Sequence, residues 1–375
     1  MPGSHEPIEF PIIVLKGNGM WASIYPTITI AASLTALCCT AAKAQSSGSE
    51  GPSPLDRRPA DIAPIFPQPG ILTPGGHFVV EPAIQFSHAS STKSAMVGFN
   101  VIPVLPNFIE AREVRRNSTV ASLTVRHGLT NRLELEIKIP YAYRSDTLTG
   151  NAPAVGIIED RIFENSGAHL GDAELGARYQ FNEGGIGKLY FIGGLRYKSR
   201  TGRDPFEVVS DCATRCVAGV DGRTGLPLDL PTGSGFHAVE SSLTWLLPSN
   251  RSILFGTFSY THNFKRSHIS RTVLSGEQEL LGEIKPGAAI GVNVGLGLAL
   301  DDRSAVSFGY EHNSIARMRH NGQRMPGSVR TQLGTAMVGF SYRIDRIRSL
   351  NVSLGAGLTR DAPDVSVMLR LPMTF

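Results

Sequence analysis

The segment RLELEIKIPYAY (132–143) puts Leu133, Leu135, Ile137, Ile139, Tyr141 and Tyr143 on one face of an extended chain. Glu134, Glu136, Lys138 and Pro140 fall on the other. Strict alternation of this kind fits a strand, whose side chains point to opposite faces with a period of two, and does not fit a helix. The pattern recurs in GDAELGARYQF (171–181) and AIGVNVGLGLAL (289–300). It returns at the end of the chain, where Val365, Val367, Leu369, Leu371, Met373 and Phe375 alternate with Ser366, Met368, Arg370, Pro372 and Thr374. About twelve such segments are expected, near 77–88, 119–129, 132–143, 171–181, 188–198, 236–246, 252–262, 287–300, 305–313, 330–343, 350–358 and 365–375. Most are close to the roughly 9–11 residues of a tilted strand that crosses a bilayer.

The connections limit the topology further. The second and third segments are joined by little more than Thr130-Asn131, and later short links are NEGGIG, LPSN, DDRS and DRIRS. Between them come long links at 89–118, 144–170, 199–235, 263–286 and 314–329, and only the last link, around TRDAPD, is short where a long one would be next. A soluble sandwich has no reason to sort loop length by strand parity. An outer-membrane barrel does, with short periplasmic turns and long outer loops. Aromatic residues fit the same topology. Tyr179, Phe181, Trp245, Phe340, Tyr342 and Phe375 fall at the periplasmic ends of strands, and Tyr141, Tyr143, Tyr197 and Tyr310 at the outer ends. Amphipathic rings settle at both interfaces of a bilayer. The fold expected is all-β: a transmembrane antiparallel up-and-down β-barrel of about twelve strands, of the bacterial outer-membrane type. Phe375 then belongs to a full closing strand, and an aromatic last residue resembles the C-terminal signal read by the outer-membrane barrel assembly machinery.

The N-terminus fits export. An uncharged stretch from Ile24 to Ala42 ends in Ala42-Lys43-Ala44, the small-x-small pattern of a signal-peptidase site. Residues 1–44 are read as a signal peptide, with Met20 as an alternative start. A transmembrane anchor is the weaker alternative, because no stop-transfer charges follow. Lipoprotein processing is disfavoured, since Leu37 and Cys38 precede the two cysteines where a small residue is needed. Residues 45–76, with seven prolines, read as a flexible periplasmic segment, and 77–375 as the barrel. Cleavage leaves Cys212 and Cys216 in an oxidising compartment. A local disulfide is the preferred reading, with a metal pair or two free thiols as alternatives.

On this parity the inward ionisable residues are Glu81, Glu134, Glu136, Asp172, Glu174, Glu240 and Glu311, and Arg126, Lys138, Arg178, Arg196, Lys198, Arg343 and Arg370, seven of each sign. All except Glu81 and Arg126 are carried forward as lumen-lining candidates. Pairing across NEGGIG would set Glu174 beside Arg196 and Asp172 beside Lys198, with Glu136 facing Arg178. These pairs either brace a polar interior or form a narrow polar constriction. A loop at 314–330 is basic through Arg317, Arg319, His320, Arg324 and Arg330. It suits either an anion site or contact with lipopolysaccharide phosphates and solvent.

The formal charge of +4, with no Lys/Arg block, gives nucleic-acid binding no electrostatic support. His88-Ala89-Ser90 and His268-Ile269-Ser270 have the His-x-Ser spacing of a barrel phospholipase, but no lipase elbow, zincin motif or P-loop accompanies them. A barrel enzyme and a surface-binding protein acting through its long loops are the two alternatives to a channel.

PGILTPGGHFVVEPAIQFSHAS, ASLTVRHGLTNRLELEIKIPYAYRSD, GDAELGARYQF and AVSFGYEHNSI together resemble the outer-membrane transporter-like family named for the MetA pathway of phenol degradation. The likeness runs from about Pro69 to the C-terminus. It implies a barrel that passes small aromatic or other hydrophobic compounds, with no residue motif to carry over. The function expected is therefore passive or facilitated diffusion of such solutes across the outer membrane. No reaction, cofactor or metal is expected, and the partners expected are outer-membrane lipid and lipopolysaccharide, the assembly machinery and the small solute.

Overall fold

In a computed structural model, the structure describes residues 72–90, 110–151, 160–209, 228–272, 276, 278–325 and 328–375. The expected signal peptide at 1–44, residues 45–71, and Cys212 and Cys216 lie outside the described residues.

The elements in chain order are β1 (Phe78–Ser90), β2 (Glu110–Thr130), β3 (Leu133–Asn151), β4 (Asp160–Leu170), β5 (Glu174–Gln180), β6 (Tyr190–Lys198), β7 (Ala238–Pro248), β8 (Ser252–Asn263), β9 (Arg266–Thr272), β10 (Gln278–Lys285), β11 (Ala289–Ala299), β12 (Ser304–Ile315), β13 (Arg319–His320), β14 (Gln323–Arg324), β15 (Thr331–Arg343), β16 (Ser349–Gly357), β17 (Val365–Arg370) and β18 (Met373–Thr374). One antiparallel sheet of fourteen segments closes on itself, because β17 and β18 pair with β1 as well as following β16. The segments make twelve strands. β4 and β5 together form one strand interrupted at residues 171–173, and β17 and β18 form another interrupted at Leu371-Pro372, where proline has no N–H for the ladder. Closure leaves no open sheet edge for lipid to meet.

Burial follows the alternation. Leu135, Ile137, Ile139, Leu175, Leu195, Leu243, Phe258, Val292, Val294, Leu296, Phe308, Val338 and Leu354 stand exposed on the outside. Lipid is the solvent that suits such a surface. Tyr179, Phe181, Phe340, Tyr342 and Phe375 are exposed at the short-turn end, and Tyr141, Tyr143, Tyr197, Tyr260 and Tyr310 at the long-loop end. Trp245 is half-buried instead. It lies over Gly256, where an added Cβ would come within 2.7 Å of the indole.

Three features depart from the sequence expectation. First, β2 and β3 run eight or more residues past the expected strands on the loop side. Their hairpin carries ladder pairing out to Glu110↔Asn151. Hydrophobic alternation does not mark this largely polar stretch of sequence. Second, the β5–β6 register differs by one pair. Glu174 lies opposite Lys198 and Gly176 opposite Arg196, while Glu134, not Glu136, faces Arg178. The connection is longer than NEGGIG. It begins at Phe181, whose N–H bonds Phe191 O, and encloses a tight turn bridged at Gly185 and Lys188.

Third, the loops carry a second, four-stranded sheet in the order β14-β13-β10-β9. Ile269 of β9 and Ile284 of β10 pack with Phe206 and Phe236 into an apolar core outside the barrel. The β13–β14 turn is Asn321-Gly322, both with positive φ (49° and 79°), which is the type I′ geometry that favours these two residues.

Candidate functional site

The inward faces of the strands differ around the barrel. Most of the interior charge is on β1, β2, β3, β5 and β6. Arg126 bonds Glu136 at 2.8 Å and Glu81 at 3.2 Å. Glu136 lies 3.9 Å from Arg196, which reaches Glu174 at 3.6 Å, and Glu174 lies 3.7 Å from Lys138. Glu134, only 1% exposed, accepts from Arg178 Nε at 2.9 Å. Burying a carboxylate is costly unless it is paired, and this chain of alternating signs supplies the pairing, for Glu174 through two ion pairs without a hydrogen bond.

The expected contacts Glu174–Arg196 and Asp172–Lys198 form despite the shifted register, because the long side chains reach diagonally. Lys198 Nζ lies 3.5 Å from Asp172 Oδ2. Asp172 sits in the interruption between β4 and β5, fully buried, and accepts from Gly202 N–H (3.1 Å), Ser234 N–H (2.8 Å) and Ser234 Oγ (2.6 Å). It ties the loop after β6 to the wall where the strand breaks. Arg370 is buried and inward on β17, and Arg343 is inward at the turn end of β15.

The opposite wall is nearly neutral. β8, β11, β12, β15 and β16 turn Thr257, Gly291, Asn293, Gly295, Ser307, Gly339, Ser353 and Gly355 inward. Its Glu311 of β12 is near the loop end and accepts from Asn313 at 2.6 Å, while Glu240 of the neighbouring β7, opposite Arg196, accepts from Thr261 at 3.2 Å.

A cluster that alternation alone conceals lies toward the short-turn end. Ile192, Leu246, Ile253 and Phe255 take inward positions on β6, β7 and β8 and are buried together with Leu72, while Tyr190 and Met337 pack beside them. On barrel strands apolar residues ordinarily face lipid. Here ILFG (253–256) is apolar on both parities, and that run is the sequence signal that could have found the cluster.

Leu72 precedes the first strand, so the chain enters the lumen before it joins the wall. Thr73 N–H donates to Glu134 Oε2 at 2.7 Å. Thr73 and Pro74 press so close to Gly128 that a Cβ there would come within 2.4 Å of both carbonyl oxygens. Gly295 is likewise required by a close approach, because a Cβ would meet the Phe255 ring at 2.5 Å.

The first of the two His-x-Ser pairs is engaged elsewhere. His88 Nδ1 is 2.7 Å from Asn117 Oδ1, and Ser90 Oγ donates to Asp364 Oδ2 at 2.6 Å. His268 is held at a positive φ of 56°. Asp364, in the loop before β17, is kept below its ordinary range by the bonds from the Ser90 hydroxyl and backbone N–H. No group of metal-ligating side chains occurs among the described residues.

No family model matches the chain. Among solved structures it is similar to the COG4313 outer membrane channel from Pseudomonas putida F1. The TM-score is 0.53 at 16% identity, over 82% of this chain and 99% of that one. The fold is that of an outer-membrane barrel. A more distant likeness, to the Pseudomonas putida toluene transporter TodX, has a TM-score of 0.39 at 11% identity over 88% and 94% of the two chains and carries no weight.

Proposed function

We propose that the protein is an outer-membrane channel, not an enzyme, for passive or facilitated diffusion of small hydrophobic solutes, aromatic ones among them. The observation that carries this reading is the apolar cluster of Ile192, Leu246, Ile253 and Phe255 inside an otherwise polar lumen. An apolar constriction resists hydrated ions, which would have to shed water there, and offers an uncharged solute a favourable surface. The resemblance to the MetA-pathway family of phenol degradation supports the same class of cargo.

In this reading Glu134, Glu136, Lys138, Asp172, Glu174, Arg178, Arg196, Lys198, Arg343 and Arg370 brace the lumen, with Glu240 and Glu311 near its outer mouth. The apolar cluster selects. Residues 1–44 direct export, residues 45–76 are the segment leading to the barrel, and Phe375 belongs to the assembly signal. Single-channel recording in a planar bilayer tests the proposal. Small discrete conductance that phenol perturbs is expected, whereas a large conductance indifferent to phenol would count against an apolar constriction.

A further inference from the structure

We propose that the outer sheet binds the phosphate groups of lipopolysaccharide through Lys285, Arg319 and Arg324. Lys285 of β10 lies directly opposite Arg319 of β13, and Arg319 lies directly opposite Arg324 of β14. Three cations therefore stand side by side across three adjacent strands.

Their face follows from the residue before Lys285. Ile284 is buried in the apolar core with Phe206, Phe236 and Ile269. Neighbouring residues of a strand point to opposite faces, so Lys285 and its register partners are turned away from that core. Arg319 and Arg324 are exposed and Lys285 is partly exposed. The Asn321-Gly322 turn fixes the spacing of the two arginines, and Asn321 Oδ1 anchors the turn on β10 by accepting the Glu283 N–H at 2.8 Å.

Like charges directly opposite one another destabilise a sheet. Among the described residues no carboxylate forms an ion pair with any of the three, and Glu283, the one that acts on Lys285 at longer range, is bonded to other partners. Glu283, two positions from Lys285 on the same strand, is held by Lys265 at 2.8 Å and Ser267 at 3.2 Å. Arg317 and Arg330, exposed in the same connection, add to the positive charge.

A row of cations at the loop end of a membrane barrel complements an anionic surface at that level. The outer leaflet offers one in the phosphorylated sugars of lipopolysaccharide. Arginine pairs with phosphate through two parallel N–H bonds, and lysine adds a point charge between neighbouring groups. The site is independent of what passes through the lumen.

The test is native mass spectrometry and equilibrium binding of the full chain in detergent with three probes: lipopolysaccharide carrying its glucosamine phosphates, the enzymatically dephosphorylated form, and phosphatidylglycerol. Each is repeated with Lys285, Arg319 and Arg324 changed together to Gln. The wild type is expected to retain the phosphorylated form, and the variant to bind it at least about tenfold more weakly. Dephosphorylated lipopolysaccharide should bind the wild type as weakly as the phosphorylated form binds the variant. Heat-modifiable mobility shows whether the variant is folded, and the probe comparison on the wild type decides the matter if it is not. Equal retention of both forms, equal retention of phosphatidylglycerol, competition by inorganic phosphate at equal concentration, or no difference between folded variant and wild type would each overturn the assignment.

Discussion

Phe78 and Phe375 exchange both backbone hydrogen bonds, at 3.0 and 2.8 Å, so the last residue of the chain closes the sheet on its first strand. Its ring is 62% exposed at the short-turn end, where an aromatic girdle meets the interface. Deleting Phe375 should lower the folded fraction in outer-membrane extracts, read as loss of the heat-modifiable band. A folded fraction equal to that of the full chain would show that the terminal residue is dispensable for closure.

The two faces of β11 give a second prediction. Leu296 points to lipid and Asn293 to the lumen. Leu296→Arg should destabilise the barrel by about 2–4 kcal/mol in vesicle refolding titrations, as a cation exposed to hydrocarbon does near the midplane. Asn293→Ser should be tolerated. Equal sensitivity at the two positions would contradict the assignment of faces.

Arg178 and Glu134 give a third. Removing the arginine leaves a carboxylate buried with Thr73 N–H and no neighbouring cation bonded to it from β5. Arg178→Leu should cost about 3–5 kcal/mol in urea unfolding, and adding Glu134→Gln should restore a large part of that loss. Additive losses in the double variant would show that the two groups are not coupled.

The period-two pattern made all twelve wall strands legible, because a membrane barrel must present apolar side chains outward on every strand. Loop-length parity likewise gave the topology. The β9, β10, β13 and β14 sheet was not legible by that route, because β9 and β10 give its small core one buried isoleucine each and β13 and β14 are two residues long, too little for an alternation to show. The Asn321-Gly322 pair in RHNGQR is a turn signal that could have located the β13–β14 hairpin. Of the pairings expected from parity, Glu174–Arg196 and Asp172–Lys198 form, whereas Arg178 takes Glu134 rather than Glu136. Register depends on the length of the β5–β6 connection, which runs from Phe181 to Leu189 and so exceeds NEGGIG. The apolar cluster stayed hidden because Phe255 and Ile253 break the rule that places apolar side chains on the lipid face.

A fourth prediction concerns acid. Ser90 Oγ and N–H stabilise the charged form of Asp364 and lower its pKa in the folded state. By linkage the contact contributes fully above the ordinary carboxylate range and is lost as pH falls through the lowered folded value. Hydrogen exchange at the Ser90 amide, corrected for intrinsic rate, should show protection at neutral pH that disappears in strong acid. Asp364→Asn should remove the pH dependence. Protection unchanged down to strong acid would contradict a charge-held contact.

The central claim is that the Ile192–Leu246–Ile253–Phe255 cluster makes the lumen a path for apolar solutes. Its most direct test is the initial uptake rate, in cells with an intact lipopolysaccharide leaflet, of a labelled monoaromatic hydrocarbon and of a sugar of similar size. Cells expressing the protein, its Phe255→Asp variant or neither should be compared. The account predicts faster hydrocarbon uptake with the wild type, little change for the sugar, and loss of the hydrocarbon advantage in a variant that still folds. Equal acceleration of both solutes, or hydrocarbon uptake no faster than in cells lacking the protein, would contradict it.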